Sequence, residues 1–482
     1  MKDRAAETRL FEQAPILRAV LTLAIPTVIS QIILVIYNMA DTFFIGLTGS
    51  DAMITAVTVC MPAFMFLSAI SNLFGVGGAS VIARSLGSGD VERARRTSAF
   101  AFWGCVAVTI FYALAARLFM DRFVDLLGGS DPQVHGNACR YLTWTVVLGG
   151  VTTSLNALLG HLVRSEGRSM QAGFGIALGG VLNIALDPLF MFVLLPKGQE
   201  VQGAAIATSL SNLIATGYFL TLMRLNRHRS LLSLKPRRSM LRHGIPREVL
   251  LTGLPACLMT LCENISYAVL DNLMALSGTM MQAGLGVAKK VNMLAHCMAR
   301  GMAQGVLPLI GYNFASGNYK RMRSTVRLSM GISAALSAIW MAVSLLLSRQ
   351  LIALFIQHGS DSVLFGARFL QILCIGGPFS ACAYAVISFF QAVGESKKSF
   401  VLAILRKGVL DIPMMFVLLR LIPIYGTVWA TPIADVMCCA TAAVLFTAFT
   451  SRLMDRPGYP VYLDVAKLWG RGMRSKMARG DA

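Results

Sequence analysis

Long apolar stretches recur along the whole chain, and short polar breaks separate them. A transmembrane helix needs roughly 20 mostly apolar residues, so each stretch predicts one membrane-spanning helix. The pattern therefore predicts an all-α integral membrane protein with 12 transmembrane helices. The predicted spans, numbered 1 to 12 in chain order, cover residues 16–45, 53–82, 98–119, 138–162, 170–195, 202–223, 248–270, 279–311, 325–348, 363–391, 400–421 and 425–450.

The two halves of the chain resemble each other at a shift of about 230 residues. Each half holds six spans, an even number, so both halves enter the membrane from the same side. A parallel repeat of this kind predicts two pseudo-symmetric six-helix bundles with a substrate cleft between them. The aligned landmarks are Pro26 with Pro255, Tyr37 with Tyr267, and Asp41 with Asp271.

This division predicts an N-terminal lobe over residues 1–223, a basic linker over 224–247, a C-terminal lobe over 248–450 and a basic tail over 451–482. The linker carries eight Lys or Arg residues and no acid, and the other loops after even-numbered spans are also basic. By the positive-inside rule, we expect both termini to lie in the cytoplasm and the protein to span the inner cell membrane.

Membrane topology also accounts for the net charge of +20, so we do not expect nucleic-acid binding. The basic tail is expected either to contact anionic membrane lipid or simply to be solvated. Residues 1–15 lack the pattern of a cleavable signal peptide, so span 1 is expected to remain in the mature protein.

Asp41 is the first acid that the pattern places inside a span. An ionised side chain at mid-membrane costs roughly 2.5 to 3.5 kcal/mol, so such acids are functional candidates. Gln31, Asn38 and Asp41 lie along one helical stripe, which we expect to face the bundle interior. The alternative is that Asp41 lies at the outer end of span 1 and is solvated.

Span 5 contributes Asn183 and Asp187, which are four residues apart and hence on one face, followed by Pro188. Span 6 adds Thr208 among small residues that allow close helix packing. Two close carboxylates, Asp41 and Asp187, must bind a cation or take up a proton. The alternative for span 5 is an interhelical hydrogen bond that only stabilises the bundle.

The C-terminal lobe carries similar numbers of acids and bases inside its spans. Glu263 with Arg300 is the preferred pair, because spans 7 and 8 are consecutive. Purely structural pairing and direct contact with substrate or cation both remain open. The residues concerned are Glu263, Asp271, Asp411, Asp435, Lys289, Lys290, Arg300, Arg406 and Lys407.

The sequence offers little for an enzyme. Its ten cysteines show no metal-binding spacing, and its six histidines form no pair at metal-ligand spacing. Nucleophile-elbow and phosphate-binding motifs are also missing from the sequence. We therefore expect a non-enzyme with no cofactor other than a coupling ion.

Several segments resemble the multidrug and toxic compound extrusion (MATE) family of the MOP superfamily, over essentially the whole chain. The resemblance implies V-shaped paired bundles that alternate access and export amphipathic or cationic small molecules against entering Na⁺ or H⁺. It also implies a monomer. The segments are Ile25-Pro26-Thr27, Tyr37 to Gly46, Asn183 to Pro188, Gly203 to Thr208 and Gln304 to Asn313.

By position, the resemblance implies a cation site in the N-terminal lobe, which could bind Na⁺. It also implies that span 1 bends at Pro26. The implied ligands are Asp41, Asn183, Asp187 and Thr208, with a carbonyl from Ala204. The candidate residues of the substrate cleft are Gln31, Tyr37, Asn38, Glu263 and Arg300.

One departure concerns span 10, which contains no Asp or Glu over residues 363–391, whereas NorM-type members carry an acid there. The chain therefore resembles members with a cation site in the N-terminal lobe (DinF-like) more than NorM-type members. A flippase for lipid-linked precursors is the alternative function, because Lys289, Lys290 and Arg300 could make the cleft cationic.

Overall fold

The computed structural model describes residues 9–228, 230–242, 244–355 and 361–454. Within these ranges the regular elements are all helical. Residues 455–482 of the predicted basic tail lie outside the described residues. The lobe boundaries predicted from the repeat stay predictions, and we call the chain before and after the linker the N half and the C half.

Eight helices of the described chain are long and apolar enough to cross a membrane. Two further spans are bent pairs of helices, with bends of 50° in span 4 and 43° in span 10. The eight helices are Ile16–Gly46, Asp51–Gly87, Val91–Leu118, Ser169–Leu194, Glu200–Leu225, Ile245–Ala275, Tyr319–Ala353 and Tyr425–Leu453. The bent pairs are Pro132–Leu148 with Gly150–Ser165, and Asp361–Ile375 with Gly377–Val393.

Spans 8 and 11 complete the 12 predicted spans as helices that carry charged residues. Span 8 is the helix Thr279–Ala315. Span 11 consists of Ser396–Ile404, a π-helical turn Leu405–Asp411, and Ile412–Leu421. The predicted all-α fold with 12 transmembrane helices is confirmed, with span boundaries within a few residues of the predicted ones for most spans.

The internal repeat is visible in matching turns after spans 2 and 8. Gly89 and Gly317 both have φ of +80°, a conformation that glycine adopts without steric cost. The next residue in each turn caps the following helix, because the Asp90 and Asn318 side chains accept a hydrogen bond from the backbone N–H three residues on. The shared sequence of the two loops therefore produces the same local structure.

The ends of spans 2 and 8 that carry these turns meet, since a Cβ atom at Gly87 would lie 2.3 Å from the carbonyl oxygen of Tyr312. The linker contacts the neighbouring loops through Ser230 with Glu166 and Arg237 with Glu92. We call this side of the molecule the basic side.

On this side the two halves are in backbone contact. A Cβ atom at Gly253 would lie 1.7 Å from the carbonyl oxygen of Leu73, and one at Gly77 would lie 2.2 Å from that of Val249. Span 2 of the N half therefore crosses span 7 of the C half at glycines.

Span 1 crosses span 8 in the same way. A Cβ atom at Gly301 would lie 2.7 Å from Cα of Val28, and one at Gly305 would lie 2.7 Å from Cα of Ala24. An apolar core that includes Leu23 and Ala24 of the N half continues into spans 8, 9, 10 and 12 of the C half. The two halves are therefore packed together toward the basic side.

Charged side chains add to this contact. Arg84 of the N half donates to Glu248 at 2.9 Å and to the carbonyl oxygen of Ala392 at 3.0 Å, and both acceptors belong to the C half. Arg93 also donates to Glu248. We call Arg84, Arg93 and Glu248 the charged latch.

Candidate cation site and substrate cleft

Three of the predicted cation-site residues form one hydrogen-bonded cluster in the N half. The Nδ2 atom of Asn183 donates to Asp187 Oδ1 and to Thr208 Oγ1, each at 3.2 Å. The four-residue spacing places Asn183 and Asp187 on one face of span 5, as predicted. All three side chains are buried.

Asp41 lies close to this cluster. It is only 6% exposed, so the alternative of a solvated Asp41 is wrong. Its carboxylate is near enough to that of Asp187 for the two to interact electrostatically. The cluster is displaced from the basic side, because Asp41 lies in the last turns of span 1 before Gly46.

Three buried oxygens of this site have no hydrogen-bond donor within the described part of the chain: Asp41 Oδ1, Asn183 Oδ1 and Asp187 Oδ2. An unsatisfied buried polar atom costs about 1 to 3 kcal/mol. A set of ligands made only of oxygen atoms suits a hard cation, and a carboxylate can instead take up a proton. These three oxygens could therefore bind a Na⁺ ion or a proton.

The glycines and alanines of span 6 bring it against span 5 at the site. A Cβ atom at Gly203 would lie 2.8 Å from the carbonyl oxygen of Phe190, which belongs to the π-helical turn Leu189–Leu194. Ala204 is fully buried one turn before Thr208. Its proposed carbonyl ligand stays a prediction.

Two tyrosines surround the carboxylates. Tyr37 packs against span 5, since a Cβ atom at Gly180 would lie 3.3 Å from the ring of Tyr37. Tyr141 is only 2% exposed and lies within electrostatic range of Asp41 and Asp187. Sequence reasoning missed Tyr141, because spacing within span 4 does not show that this side chain faces acids on spans 1 and 5.

The other residues of the predicted stripe in span 1 have separate contacts. Gln31 donates to Gln304 Oε1 at 3.3 Å and so joins the two halves. Asn38 donates to the carbonyl oxygen of Leu34 in its own helix at 2.7 Å. Asp41 is the residue of the stripe that interacts electrostatically with Asp187.

Span 1 runs as one helix through Pro26. A Cβ atom at Gly173 would lie 2.6 Å from the carbonyl oxygen of Pro26, so span 5 packs closely on this part of span 1. The predicted bend of span 1 during transport stays a prediction.

The predicted pair in the C half is confirmed. Arg300 Nη2 donates to Glu263 Oε2 at 2.7 Å. Tyr384 of span 10 donates its hydroxyl proton to Glu263 Oε1 at 3.1 Å and lies 3.2 Å from Arg300 Nη2. Both carboxylate oxygens of Glu263 are thus bound by the protein, and sequence reasoning missed the tyrosine.

The remaining predicted charges of the C half are mostly paired with one another. Lys407 donates to Asp411 and Arg406 to Asp435, each at 2.7 Å, and all four are at most 1% exposed. Asp411 also accepts from the hydroxyl groups of Ser266 and Thr431. Lys289 is paired with Asp271, whereas Lys290 lies within electrostatic range of Asp41 in the other half.

A pocket lies between the two halves, next to the Glu263 pair. In the wall of this pocket, Asn72 of the N half donates a hydrogen bond to Thr260 of the C half at 2.9 Å. The wall combines polar and apolar side chains, among them Asn72, Thr260, Arg300, Gln304, Tyr384 and Gln391. Arg300 lines the pocket, and Gln31 borders it through its hydrogen bond to Gln304.

Comparison with known proteins agrees with the repeat and the fold. The sequence profile named MatE matches residues 26–189 and 255–417, one stretch in each half. The chain belongs to the MatE family. The predicted resemblance is confirmed at the level of the family, and the chain is a multi-pass membrane protein of a transporter family.

Among curated MatE relatives, multidrug export protein MepA of Staphylococcus haemolyticus is 27% identical over 456 residues, covering 94% of this chain and 98% of the relative. MepA of Staphylococcus saprophyticus is 27% identical over 458 residues, with the same coverage.

Solved structures share the MatE fold. A multidrug resistance MATE family transporter in an outward-facing conformation matches with a TM-score of 0.84 and 22% identity, covering 93% of this chain and 98% of that one. A MOP superfamily transporter of Pyrococcus furiosus matches with a TM-score of 0.81 and 23% identity, covering 92% and 98%. At these identities the likeness concerns the fold, and the DinF-like subclass stays a prediction.

Proposed function

We propose that this MatE-family chain is a multidrug efflux antiporter, which exports amphipathic or cationic small molecules in exchange for Na⁺ or H⁺ entering the cell. The relatives named multidrug export protein, which match over nearly their full length, support this proposal. The proposed location is the cell membrane, with the basic side in the cytoplasm, because Lys and Arg concentrate in cytoplasmic loops.

The observation that carries the proposal is the set of unsatisfied oxygens on Asp41, Asn183 and Asp187. Two carboxylates this close in a poor dielectric favour uptake of a positive charge. Binding or release of one cation therefore changes the charge of the site and supplies an energy difference between conformations. Thr208 and the carbonyl of Ala204 are the proposed neutral ligands.

The contrast between the halves supports coupling in the N half, as in DinF-like members. Glu263 already has Arg300 and Tyr384 on its two oxygens, and the 363–391 stretch of span 10 offers no second acid. A carboxylate whose charge is paired and whose two oxygens accept hydrogen bonds gains little free energy from binding an external cation. Glu263 and Arg300 are therefore proposed to orient substrate in the cleft, together with Gln31, Tyr37 and Asn38.

The driving force is adequate for this exchange. One charge moving across 100 mV supplies about 2.3 kcal/mol. A tenfold cation gradient adds about 1.4 kcal/mol. Together they support a gradient of several hundredfold for an uncharged substrate exchanged one for one.

The test is efflux of a fluorescent cationic dye from proteoliposomes under separately imposed Na⁺ and H⁺ gradients. We expect one gradient to drive efflux in the wild type, and Asp41→Asn to abolish that dependence. Asp51→Asn removes an exposed acid at the start of span 2 and should behave as wild type. Full gradient-driven efflux by a correctly inserted Asp41→Asn variant would refute the cation site.

The flippase is the weaker proposal. It rested on positive charge from Lys289, Lys290 and Arg300 in the cleft, and two of these three are paired, Lys289 with Asp271 and Arg300 with Glu263. Translocation of lipid headgroups in the same liposomes, without dye efflux, would favour it.

A further inference from the structure

A second group of possible ion ligands lies in the connection between spans 3 and 4, at the end of the molecule opposite the basic side. Two helices form this connection, Met120–Leu126 and Pro132–Leu142. Asp121 and Asp125 are one turn apart on the first helix, and His135 and Cys139 are one turn apart on the second.

The four side chains converge between the two helices. His135 Nε2 lies 3.9 Å from Asp121 Oδ1 and 3.8 Å from Asp125 Oδ1. Cys139 Sγ lies 3.6 Å from His135 Nδ1 and 4.0 Å from Asp121 Oδ1. One ligand atom from each of Asp121, His135 and Cys139 can be chosen so that all lie within 4.8 Å of one another.

The group is within reach of the ligand spacing around a bound zinc ion. Tetrahedral zinc with bonds of about 2.0 to 2.3 Å places neighbouring ligand atoms about 3.3 to 3.8 Å apart. One ring nitrogen of His135 binds a given ion, so the His135 ring and the exposed carboxylates must rotate to bring ligand atoms that now lie within 4.8 Å of one another to this separation. Asp121 is 84% exposed and Asp125 55%, so both carboxylates can turn toward an ion that arrives from solvent.

The backbone that holds the ligands is fixed by packing. Met120 and Val124 of the first helix and Val134 and Ala138 of the second are buried in the apolar core of the N half. Asp121 and Asp125 are exposed on the first helix, whereas His135 is partly buried and Cys139 packs against the edge of this core. The site is therefore pre-arranged and accessible, which metal entry requires.

We propose that Asp121, Asp125, His135 and Cys139 bind a divalent cation of the zinc class. A thiolate and an imidazole select borderline-soft ions such as Zn²⁺, Co²⁺ or Cd²⁺ over Na⁺ and Mg²⁺. The site is thus chemically distinct from the oxygen-only cluster around Asp41. The sequence alone did not indicate this site, because metal-binding motifs are marked by pairs of cysteines or pairs of histidines, whereas this helix carries one of each.

The first test titrates the purified, chelator-treated, full-length protein with Co²⁺ in detergent. We expect one equivalent to produce a thiolate-to-cobalt charge-transfer band that Zn²⁺ then displaces. Cys139→Ala should remove the band, and His135→Ala and Asp121→Asn should weaken binding by about tenfold or more. The matched controls Cys257→Ala and His228→Ala lie outside the cluster and should bind as wild type.

A second measurement uses the unaltered chain, so it does not depend on whether a variant folds. Stoichiometric Zn²⁺ should slow labelling of Cys139 by a maleimide at least tenfold, as read by peptide mass spectrometry. Absence of a stoichiometric cobalt band, a band that survives Cys139→Ala, or labelling that Zn²⁺ does not slow would each overturn the proposal. None of these outcomes depends on whether the protein transports a drug.

Discussion

At the scale of single residues, the N and C halves differ in whether buried oxygens at corresponding positions have hydrogen-bond partners in the protein. Asn183 and Asp411 correspond in the internal repeat, and both lie in a buried polar cluster. The carboxylate of Asp411 is bound by Lys407, Ser266 and Thr431. The oxygens around Asn183 include three with no donor in the described chain.

This contrast predicts different effects for two Asp→Asn changes. Asp187→Asn should change the free energy of unfolding by less than about 1 kcal/mol, since Asp187 forms no ion pair with a basic side chain of the described residues, yet it should lower efflux at least tenfold. Asp411→Asn should destabilise the protein by about 3 to 5 kcal/mol, because it leaves Lys407 buried without its counter-ion.

Thermal unfolding in detergent and dye efflux, measured on both variants, check this pair of expectations. Equal loss of stability in the two variants would mean that Asp187, like Asp411, has a structural role. Normal efflux by Asp187→Asn would remove it from the coupling site.

The same residues show how far sequence can reach. The pairing of Asn183 with Asp187 was predictable because both lie on one helix, where spacing fixes the face. Glu263 with Arg300 was predictable because only a short turn separates their helices. Tyr141 and Tyr384 come from helices distant in sequence, and nothing in an apolar run marks which aromatic residue will face a carboxylate.

At the scale of helices, the polar breaks predicted the spans but not their interruptions. The bends in spans 4 and 10 and the π-helical turns in spans 4, 5 and 11 depend on how neighbouring helices pack. Proline did not locate them reliably, since span 1 continues through Pro26 without interruption. The apolar pattern predicts that a helix lies in the membrane. Whether that helix is bent or contains a π-helical turn depends on how it packs against neighbouring helices.

The glycine crossing of spans 2 and 7 makes an element-scale prediction. Gly253→Ala would place a methyl group against the carbonyl oxygen of Leu73, so the halves should no longer close fully on the basic side. Gly331→Ala in span 9, where a Cβ atom meets nothing within 4 Å, is the control. We expect reduced efflux only for Gly253→Ala.

Electron paramagnetic resonance distances between spin labels at Ser88→Cys and Ser316→Cys, in a background without reactive native cysteines, report the closure. Gly253→Ala should lengthen the distance distribution relative to Gly331→Ala. An unchanged distribution would show that the helices can shift to accommodate the methyl group.

At the scale of the whole molecule, the charged latch joins the halves where the linker also connects them. Arg84 and Arg93 both depend on Glu248, so one substitution weakens both bridges. Glu248→Gln should shift the equilibrium toward states that are open on the basic side, by about 1 to 2 kcal/mol, because the pairs are only partly exposed.

The same spin-label distances check this expectation. Glu92→Gln is the matched control, because Glu92 lies on the same side but binds Arg96 and Arg237 and does not join the two halves. A closed population in Glu248→Gln equal to that of Glu92→Gln would assign closure to the glycine crossings alone.

Lys407 stands where the N half has Gly179, at the same shift in the internal repeat that relates Asp411 to Asn183. Its ammonium group is in effect a counter-ion attached to the chain, and it cannot be exchanged with the medium. Under the proposed function, the C half therefore keeps a constant charge through the transport cycle while the N half alternates between two. Two halves with the same architecture would thus have different roles: the N half would bind and release the coupling cation, and the charge of the C half would stay constant.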